Sequence, residues 1–461
     1  MARTFQNEQA LASAPIGPLM LRLAAPAVAA QLINVLYNIV DRIYIGHMGA
    51  EGDMALTGLG VCFPIIMFIS ALAALGGQGG GPRAAIAMGE GDNERANSIL
   101  GSSTALLIAL AVVATAVFQI WKEPLLLAFG ATENTIGYAS DYLSIYLWGS
   151  ISVLLALGLN SFVTAQGFST FAMLTVVIGA AINIALDPLF IFVFDMGVRG
   201  AALATIIAQT ASAVWVVCFL TGKRSLLRIR RKYLRLKKEV LGPIVALGVS
   251  PFIMQSTESL VSISFNSSLR TYGGDTAVGA MTICSSVMQV VYLPLQGLAQ
   301  GAQPIVSYNY GAGNLDRVKK AYRLLLITSG IYALVIWGLS ELFPQVWVSI
   351  FNDQPELTAL AAWALRIYLM GWCVFWVQMA CQQTFVALGQ AKVSLFMALL
   401  RKVILLIPLI FILPHFFQNQ VFGVLVAEPV ADVAAALICA VTFAVRFPKI
   451  LRARERELEQ V

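Results

Sequence analysis

Long apolar stretches alternate with short polar links along almost the whole chain of 461 residues. A helix that crosses a lipid bilayer needs about 20 mainly apolar residues. The pattern predicts an all-α integral membrane protein with twelve such helices, which we call spans 1 to 12. Their approximate positions are residues 19–45, 55–79, 96–120, 136–159, 171–193, 201–220, 240–269, 278–302, 318–339, 357–385, 393–413 and 422–443.

Composition agrees with this pattern. Hydrophobic residues make up 59% of the chain and charged residues 12%, and the mean hydropathy is +0.79. A chain of this kind has lipid as its main solvent. The first seventeen residues are polar and contain no early apolar region, so we expect no cleaved signal peptide.

The second half of the chain repeats the first. The segment GGQGGGPRAAIAMGEGDNERA, which begins at Gly76, matches LAQGAQPIVSYNYGAGNLDRV, which begins at Leu298, with a spacing of 222. Each half holds six spans, so both halves have the same orientation in the membrane. We therefore predict two pseudo-symmetric six-helix lobes, 1–235 and 236–461, with a basic link at 222–239.

Lys and Arg residues are distributed unequally between the two sides of the membrane. The basic link carries nine of them and the tail after span 12 carries five more. The links on the opposite side hold Arg42, Lys122, Arg199 and Arg270. The positive-inside bias places both termini in the cytoplasm of a cell-membrane protein. A net charge of +6 at such membrane-proximal sites does not require a nucleic-acid partner.

Polar side chains occur inside three spans of the first half. In span 1 they recur at steps of three and four residues, which places them on one helical face: Gln31, Asn34, Asn38 and Asp41. Asn183 and Asp187 lie four residues apart in span 5, and Thr205 lies about one turn into span 6. Asp41, Asp187 and Thr205 fall at comparable depth in the outer half of the membrane. We predict that they form one site together with Asn183.

The chemistry of this predicted site has two interpretations. Two carboxylates with an amide and a hydroxyl suit Na⁺, which prefers oxygen ligands. They also suit a proton, since a neighbouring like charge and the loss of water both favour the neutral carboxyl group. The structural alternative is that Asp187 caps a break before Pro188 and Asp41 marks a helix end beside Arg42. Arg42 points about 100° away from Asp41 on an α-helix, which makes it a poor partner.

Pro26 lies fifteen residues before Asp41 in span 1. Proline removes a helical hydrogen bond and creates a bend point. An ion at Asp41 could then change the balance between a straight and a bent span 1, and we assign Pro26 as a candidate hinge. A static kink that improves packing is the equally open alternative.

The sequence offers little other chemistry. His47 and His415 fall in links on the outer side, and the six cysteines are scattered through the spans. These patterns predict neither a metal centre, apart from Na⁺, nor a disulfide framework. The chain has no nucleotide-binding loop of the GxxxxGK[ST] type. We expect no enzyme activity and no cofactor.

Several segments resemble the multidrug and toxic compound extrusion (MATE) transporters. They are LYNIVDRIYIG around Asp41, NIALDP around Asp187, GVRGAALAT ending at Thr205, and the paired GEGDNERA and GAGNLDRV. The resemblance covers about residues 19–447 and is greatest to bacterial members of the DinF-like and MepA-like kind. It implies two six-helix lobes around a central cavity. It also implies export of cationic or amphiphilic small molecules by antiport with H⁺ or Na⁺.

The same resemblance implies roles for individual residues. The family's cation-linked site in the first lobe matches Asp41, Asn183, Asp187 and Thr205. Tyr37 and Asn160 match positions near the drug-facing cavity. We also assign Asn34, on the polar face of span 1, to substrate binding.

The second lobe departs from one family pattern. NorM-like members pair a glutamate of span 7 with an aspartate of span 10. Glu258 matches the glutamate, but span 10 offers only glutamines, among them Gln378. This argues against a second-lobe ion site, and we predict that Glu258 contributes one negative charge that attracts cationic substrates. Gln378 and Gln289 would add hydrogen bonds, unless the glutamines are purely structural. Glu428 and Asp432, one turn apart in span 12, are further candidate site residues.

Two other functions are compatible with twelve spans. A flippase for lipid-linked oligosaccharides, from the related superfamily, needs a strongly cationic cavity. The interior candidates here are mostly acids and amides, with Arg366 and Arg401 as exceptions. A membrane scaffold without transport activity would need no buried acids. We expect a monomer, and the sequence leaves the choice between H⁺ and Na⁺ open.

Overall fold

Helices form nearly all of the computed structural model, which describes residues 2–48, 52–351 and 354–460. These ranges contain no β-strand. The α-helices in chain order are α1 (Ala2–Ser13), α2 (Ile16–Gly46), α3 (Gly52–Gly89), α4 (Asn93–Ala128), α5 (Ile136–Trp148), α6 (Ser150–Ala165), α7 (Ser169–Pro188), α8 (Gly197–Thr221), α9 (Lys238–Gly311), α10 (Leu315–Leu342), α11 (Pro344–Ser349), α12 (Pro355–Tyr368), α13 (Trp372–Ala387), α14 (Ala391–Leu399), α15 (Ile407–Ile412), α16 (Gln420–Leu425) and α17 (Ala427–Glu459).

The helices confirm the predicted membrane architecture. Nine helical segments within the described ranges are long and apolar enough to cross a membrane by themselves. Two further crossings are bent pairs, α5 with α6 at 57° and α12 with α13 at 50°. The longest segment, α9, has 74 residues and breaks at Gly274, whose φ of 66° lies in the left-handed region that favours glycine. The break separates spans 7 and 8 and completes the twelve.

Two π-helical segments interrupt spans 5 and 11. Leu189–Val193 follows α7, and Leu400–Leu406 joins α14 to α15. Such segments are rare and are frequent at functional sites. The second one carries Arg401 and Lys402, which are adjacent charged residues inside an otherwise apolar span.

Packing within each lobe determines which polar faces meet. In the first lobe α2 packs on α7, and α7 packs on α8. Spans 1, 5 and 6 therefore share one interior. In the second lobe α9 packs against α14, and α13 packs against α17, so spans 7, 10, 11 and 12 surround a second interior.

The lobes meet through reciprocal glycine contacts. A β-carbon added at Gly89 of α3 would collide with the carbonyl oxygen of Tyr308 in α9. A β-carbon added at Gly311 of α9 would collide with the carbonyl oxygen of Ile86 in α3. Gly89 and Gly311 are matched by the repeat, and so are Ile86 and Tyr308, at the spacing of 222. The two lobes thus approach each other through equivalent backbone surfaces.

Both ends of the described chain lie on the same side of the molecule as these contacts. Leu11 of α1 is buried beside Gly167 of the first lobe, and its carbonyl accepts a hydrogen bond of 2.9 Å from Asn309 of the second. Arg454 of α17 donates a hydrogen bond of 2.8 Å to Glu90, which follows α3. Both terminal helices therefore join the two lobes.

Candidate functional site

The first lobe brings together four residues that the sequence assigned to one site. Asp41 lies near the end of α2, Asn183 and Asp187 lie in the last turns of α7, and Thr205 lies in α8. All four are buried. The Asn183 amide donates to Asp187 Oδ1 at 3.2 Å and to Thr205 Oγ1 at 3.4 Å. The carboxyl groups of Asp41 and Asp187 are close enough to interact electrostatically.

Three oxygen atoms of this cluster have no hydrogen-bond partner among the described residues. They are Asp41 Oδ1, Asn183 Oδ1 and Asp187 Oδ2. Leaving a buried polar group unpaired costs about 1–3 kcal/mol, so such groups in native proteins call for an explanation. Arg42 does not pair with these oxygens, since its guanidinium lies over the ring of Phe63 at 5.5 Å. The cluster is therefore a buried set of oxygen atoms able to accept a cation or a proton.

A small cavity adjoins this cluster. It has room of about 50 Å³ for water-sized molecules, which is enough for a few waters. Five predicted site residues line it: Asn34, Tyr37, Asn160, Asn183 and Thr205. The Asn160 amide donates to the carbonyl of Ala172 at 3.1 Å and accepts from Thr175 at 3.2 Å. Two of the predicted ion-site residues and the predicted substrate-binding residues of the first lobe thus border the same cavity.

Three polar residues in the lining were missed by sequence reasoning, namely Thr175, Gln209 and Ser212. Ser212 donates to the Thr175 carbonyl at 2.9 Å and so joins α8 to α7. Gln209 follows Thr205 by four residues, which is the spacing of neighbours on one helical face. Extending that face along span 6 is the signal that would have found it.

In the second lobe, the predicted acids of span 12 surround an arginine. Arg401 donates Nε to Asp432 and Nη2 to Glu428, each at 2.7 Å. Its guanidinium also lies over the Phe375 ring of α13 at 4.6 Å. The side chains of Glu428 and Asp432 are only 4% and 1% exposed. These two acids therefore belong to a buried ion-paired cluster.

Lys402 corrects the expectation for Glu258. The Lys402 ammonium forms an ion pair with the Glu258 carboxylate and donates to the Met254 carbonyl at 2.8 Å. Glu258 is therefore not an unshared negative charge. Arg401 and Lys402 are adjacent in the π-helical segment and point in different directions, so Arg401 reaches α17 while Lys402 reaches α9.

The glutamines assigned to the second lobe lie in different environments. Gln378 of α13 is 3% exposed, and its Oε1 has no hydrogen-bond partner among the described residues. Gln382, one turn later, is buried and contacts the sulfur of Met254. Gln289 lies exposed on the second half of α9. Only the span 10 glutamines are thus placed in the buried part of the lobe.

Comparison with known proteins extends this picture to the whole chain. The family model MatE matches twice, at residues 26–189 and 251–412. The chain belongs to the MatE family. Each match covers most of one six-span half, in agreement with the internal repeat. The resemblance to MATE transporters inferred from the sequence is confirmed.

Curated relatives of this MatE chain are multidrug export proteins. Multidrug export protein MepA of Staphylococcus aureus is 25% identical over 426 residues, which is 92% of this chain and 93% of MepA. MepA of Staphylococcus saprophyticus is 25% identical over 423 residues, with 91% and 92% covered. The chain is thus a transporter-family, multi-pass membrane protein.

Solved MATE structures share its fold. A MATE transporter in the bent conformation superposes with a TM-score of 0.91 at 24% identity and covers 97% of this chain and 99% of its own. An outward-facing multidrug resistance MATE transporter gives 0.87 at 24% identity, with 95% and 96% covered. A MOP superfamily transporter from Pyrococcus furiosus, described as having a binding pocket of reverse polarity, gives 0.89 at 24% identity, with 96% and 98% covered.

Proposed function

We propose that this protein is a secondary active transporter that exports cationic and amphiphilic small molecules in exchange for H⁺ or Na⁺. The observation that carries the proposal is the buried first-lobe cluster of Asp41, Asn183, Asp187 and Thr205, with its unpaired oxygen atoms. The multidrug export activity of the MepA relatives supports the substrate class.

The first-lobe cluster is suited to a small coupling ion. Two neighbouring carboxylates in a buried site repel each other, and a proton or Na⁺ between them relieves that repulsion. The adjoining cavity has space for only a few waters, so it suits an ion with part of its hydration shell. A drug-sized molecule needs a larger space than this cavity, so in this conformation the predicted substrate-binding residues Asn34, Tyr37 and Asn160 border the ion site without enclosing a substrate.

The position of Asp41 connects ion binding to a change of conformation. Asp41 and Pro26 lie on the same helix, and α2 continues through Pro26 in this structure. A ligand shifts a conformational equilibrium only by the difference in its affinity for the two states. An ion that binds Asp41 and Asp187 together would favour the arrangement of α2 that keeps these carboxyls close. The substrate would then move through the cleft between the lobes, with both termini in the cytoplasm.

Transport assays with two separate gradients test this proposal. Purified protein in liposomes should drive counterflow of ethidium, a fluorescent organic cation, when a pH gradient or a Na⁺ gradient is imposed. Liposomes without protein set the background. The gradient that drives transport identifies the coupling ion. Failure of both gradients to move the dye or tetraphenylphosphonium would overturn the proposed antiport.

Glu258→Gln should weaken substrate binding without affecting the first-lobe ion response. We expect about tenfold lower affinity for ethidium, because one negative charge near the bound cation is lost in a medium of reduced dielectric constant. The ion-dependent change in the distance between spin labels on α2 and α4 should be the same as in the wild type. Glu356→Gln, an exposed residue at the start of α12, is the matched control. Loss of the distance change with unchanged ethidium affinity would place ion coupling in the second lobe.

The flippase alternative receives less support from the structure. A cavity for a pyrophosphate-linked substrate needs positive charges that are free to meet phosphate. Arg401 is instead held by two carboxylates at 2.7 Å. Arg366 is exposed and donates to the carbonyl of Glu341 at 3.1 Å.

A further inference from the structure

We propose that Lys402 is a tethered counter-ion of a second-lobe substrate site, and that a monovalent organic cation binds by taking its place on Glu258. This inference rests on the proposed export of cationic compounds. It adds to the role proposed for Glu258 a residue that competes with the substrate and a preferred substrate charge.

The side chains of the ion pair differ sharply in exposure. The Lys402 side chain is 10% exposed and the Glu258 side chain is 69% exposed. The carboxylate is therefore accessible from outside the packed lobe, while its partner approaches from the buried side. An incoming cation can reach Glu258 without first opening the lobe.

The charges of the cluster do not balance. Glu258, Glu428 and Asp432 contribute three carboxylates, and Arg401 and Lys402 contribute two cations. An uncompensated charge in a poorly hydrated site is costly. One monovalent cation balances the cluster, whereas a dication would leave it positively charged. We therefore expect monovalent organic cations to bind in preference to divalent ones of similar size.

A displaced Lys402 has a second acceptor nearby. Glu428 Oε1 accepts from Arg401, but Glu428 Oε2 is buried without a hydrogen-bond partner in the described chain. Lys402 and Glu428 are close enough to interact electrostatically. The ammonium can therefore turn from Glu258 toward Glu428 while it keeps the Met254 carbonyl as a partner.

An unpaired amide oxygen also points to a ligand. Gln378 follows Phe375 by three residues and precedes Gln382 by four, so the three share one face of α13. Phe375 contacts Arg401, and Gln382 contacts Met254, whose carbonyl accepts from Lys402. Gln378 lies between these contacts with a buried, unpartnered Oε1. This oxygen is therefore an open acceptor on the face of α13 that contacts the charged cluster.

Two substitutions of Lys402 with opposite expected effects test the proposal. In detergent-purified protein, Lys402→Met should bind ethidium about tenfold more tightly, because the competing ammonium is gone, a size typical of coupling between neighbouring groups. Lys402→Arg should bind it several-fold more weakly, because a guanidinium holds a carboxylate with two hydrogen bonds. Lys392→Met, an exposed lysine of the same span, should leave the affinity unchanged.

The outcomes separate this inference from the general function. Wild-type affinity in both Lys402 variants, or weaker binding by Lys402→Met, would show that Lys402 is a structural partner only. Should Lys402→Met fail to fold, Lys402→Arg alone decides, with unchanged affinity overturning the proposal. Equal affinity of the wild type for ethidium and for the dication propidium would overturn the charge preference. Wild-type protein that neither binds nor transports ethidium or tetraphenylphosphonium would instead contradict the proposed export function.

Discussion

Asp41→Asn should reduce gradient-driven export of ethidium by about a hundredfold or more, while the protein still folds and inserts into the membrane. Asparagine has nearly the same shape as aspartate and can still hydrogen-bond, but it carries no charge to hold Na⁺ and cannot be titrated. The difference in ion affinity between the two conformations disappears, and with it the driving force for exchange. Initial rates in liposomes under the effective gradient provide the measurement.

Asp53→Asn is the matched control for this experiment. Asp53 lies exposed in the first turn of α3, close in sequence to Asp41 but outside the buried cluster. The Asp53→Asn variant should export ethidium at the wild-type rate. Normal gradient-driven transport by Asp41→Asn would show that Asp41 is not part of the coupling site.

Asp41→Asn and Asp187→Asn should affect transport as one unit. The two carboxyls are close enough to interact electrostatically and are proposed to hold the same ion. If each single variant loses about a hundredfold in rate, the double variant should lose little more, whereas independent sites would multiply to about ten-thousandfold.

A binding measurement supports this second experiment where transport rates become too low. The coupling ion should raise the melting temperature of the wild type, because it binds the folded state. Each single variant and the double variant should lose this stabilisation completely. A partial loss in each single variant, with the remainder lost only in the double variant, would assign the carboxylates to two sites.

The first-lobe cluster was predictable because its signal lies within single spans. Polar residues at steps of three and four in an apolar span mark one face of the helix. Asp41, at the end of that face, is buried, whereas Asn38 is exposed and donates to the Asn34 carbonyl at 2.6 Å. The common depth of Asp41, Asp187 and Thr205 then follows from counting residues from the span ends. The adjoining residues Gln209 and Thr175 were not predicted as site residues, because a single hydroxyl or amide in a membrane helix does not by itself indicate its neighbours.

The second lobe was less predictable for a specific physical reason. Glu258 and Lys402 are separated by 144 residues, and only the packing of α9 against span 11 shows that they meet. Aligning Pro188 with Pro408 in the repeat places Val403 and Ile407 opposite Asn183 and Asp187, so the repeat gives no sign of the charged pair next to Val403. A lysine inside an apolar span was nevertheless a usable signal, since such a residue needs a partner.

The helix boundaries, too, were only partly predictable from the sequence. All twelve spans are present within the described ranges, but the bends of spans 4 and 10 were not predicted. They occur around Gly149 and Gly371, which the repeat matches at the spacing of 222. Glycine is common in membrane helices, so its presence does not distinguish a bend from a site of close packing.

The contact between Gly89 and Gly311 has a consequence for the origin of the chain. Each glycine meets the counterpart of the residue that the other one meets, which is the property of an isologous surface in a twofold dimer. A single six-helix ancestor would have needed no other surface to pair with its own copy. Covalent joining of two such copies leaves each one free to change independently. One half of this chain holds a pair of open carboxylates, and the other holds a lysine and an arginine among its acids.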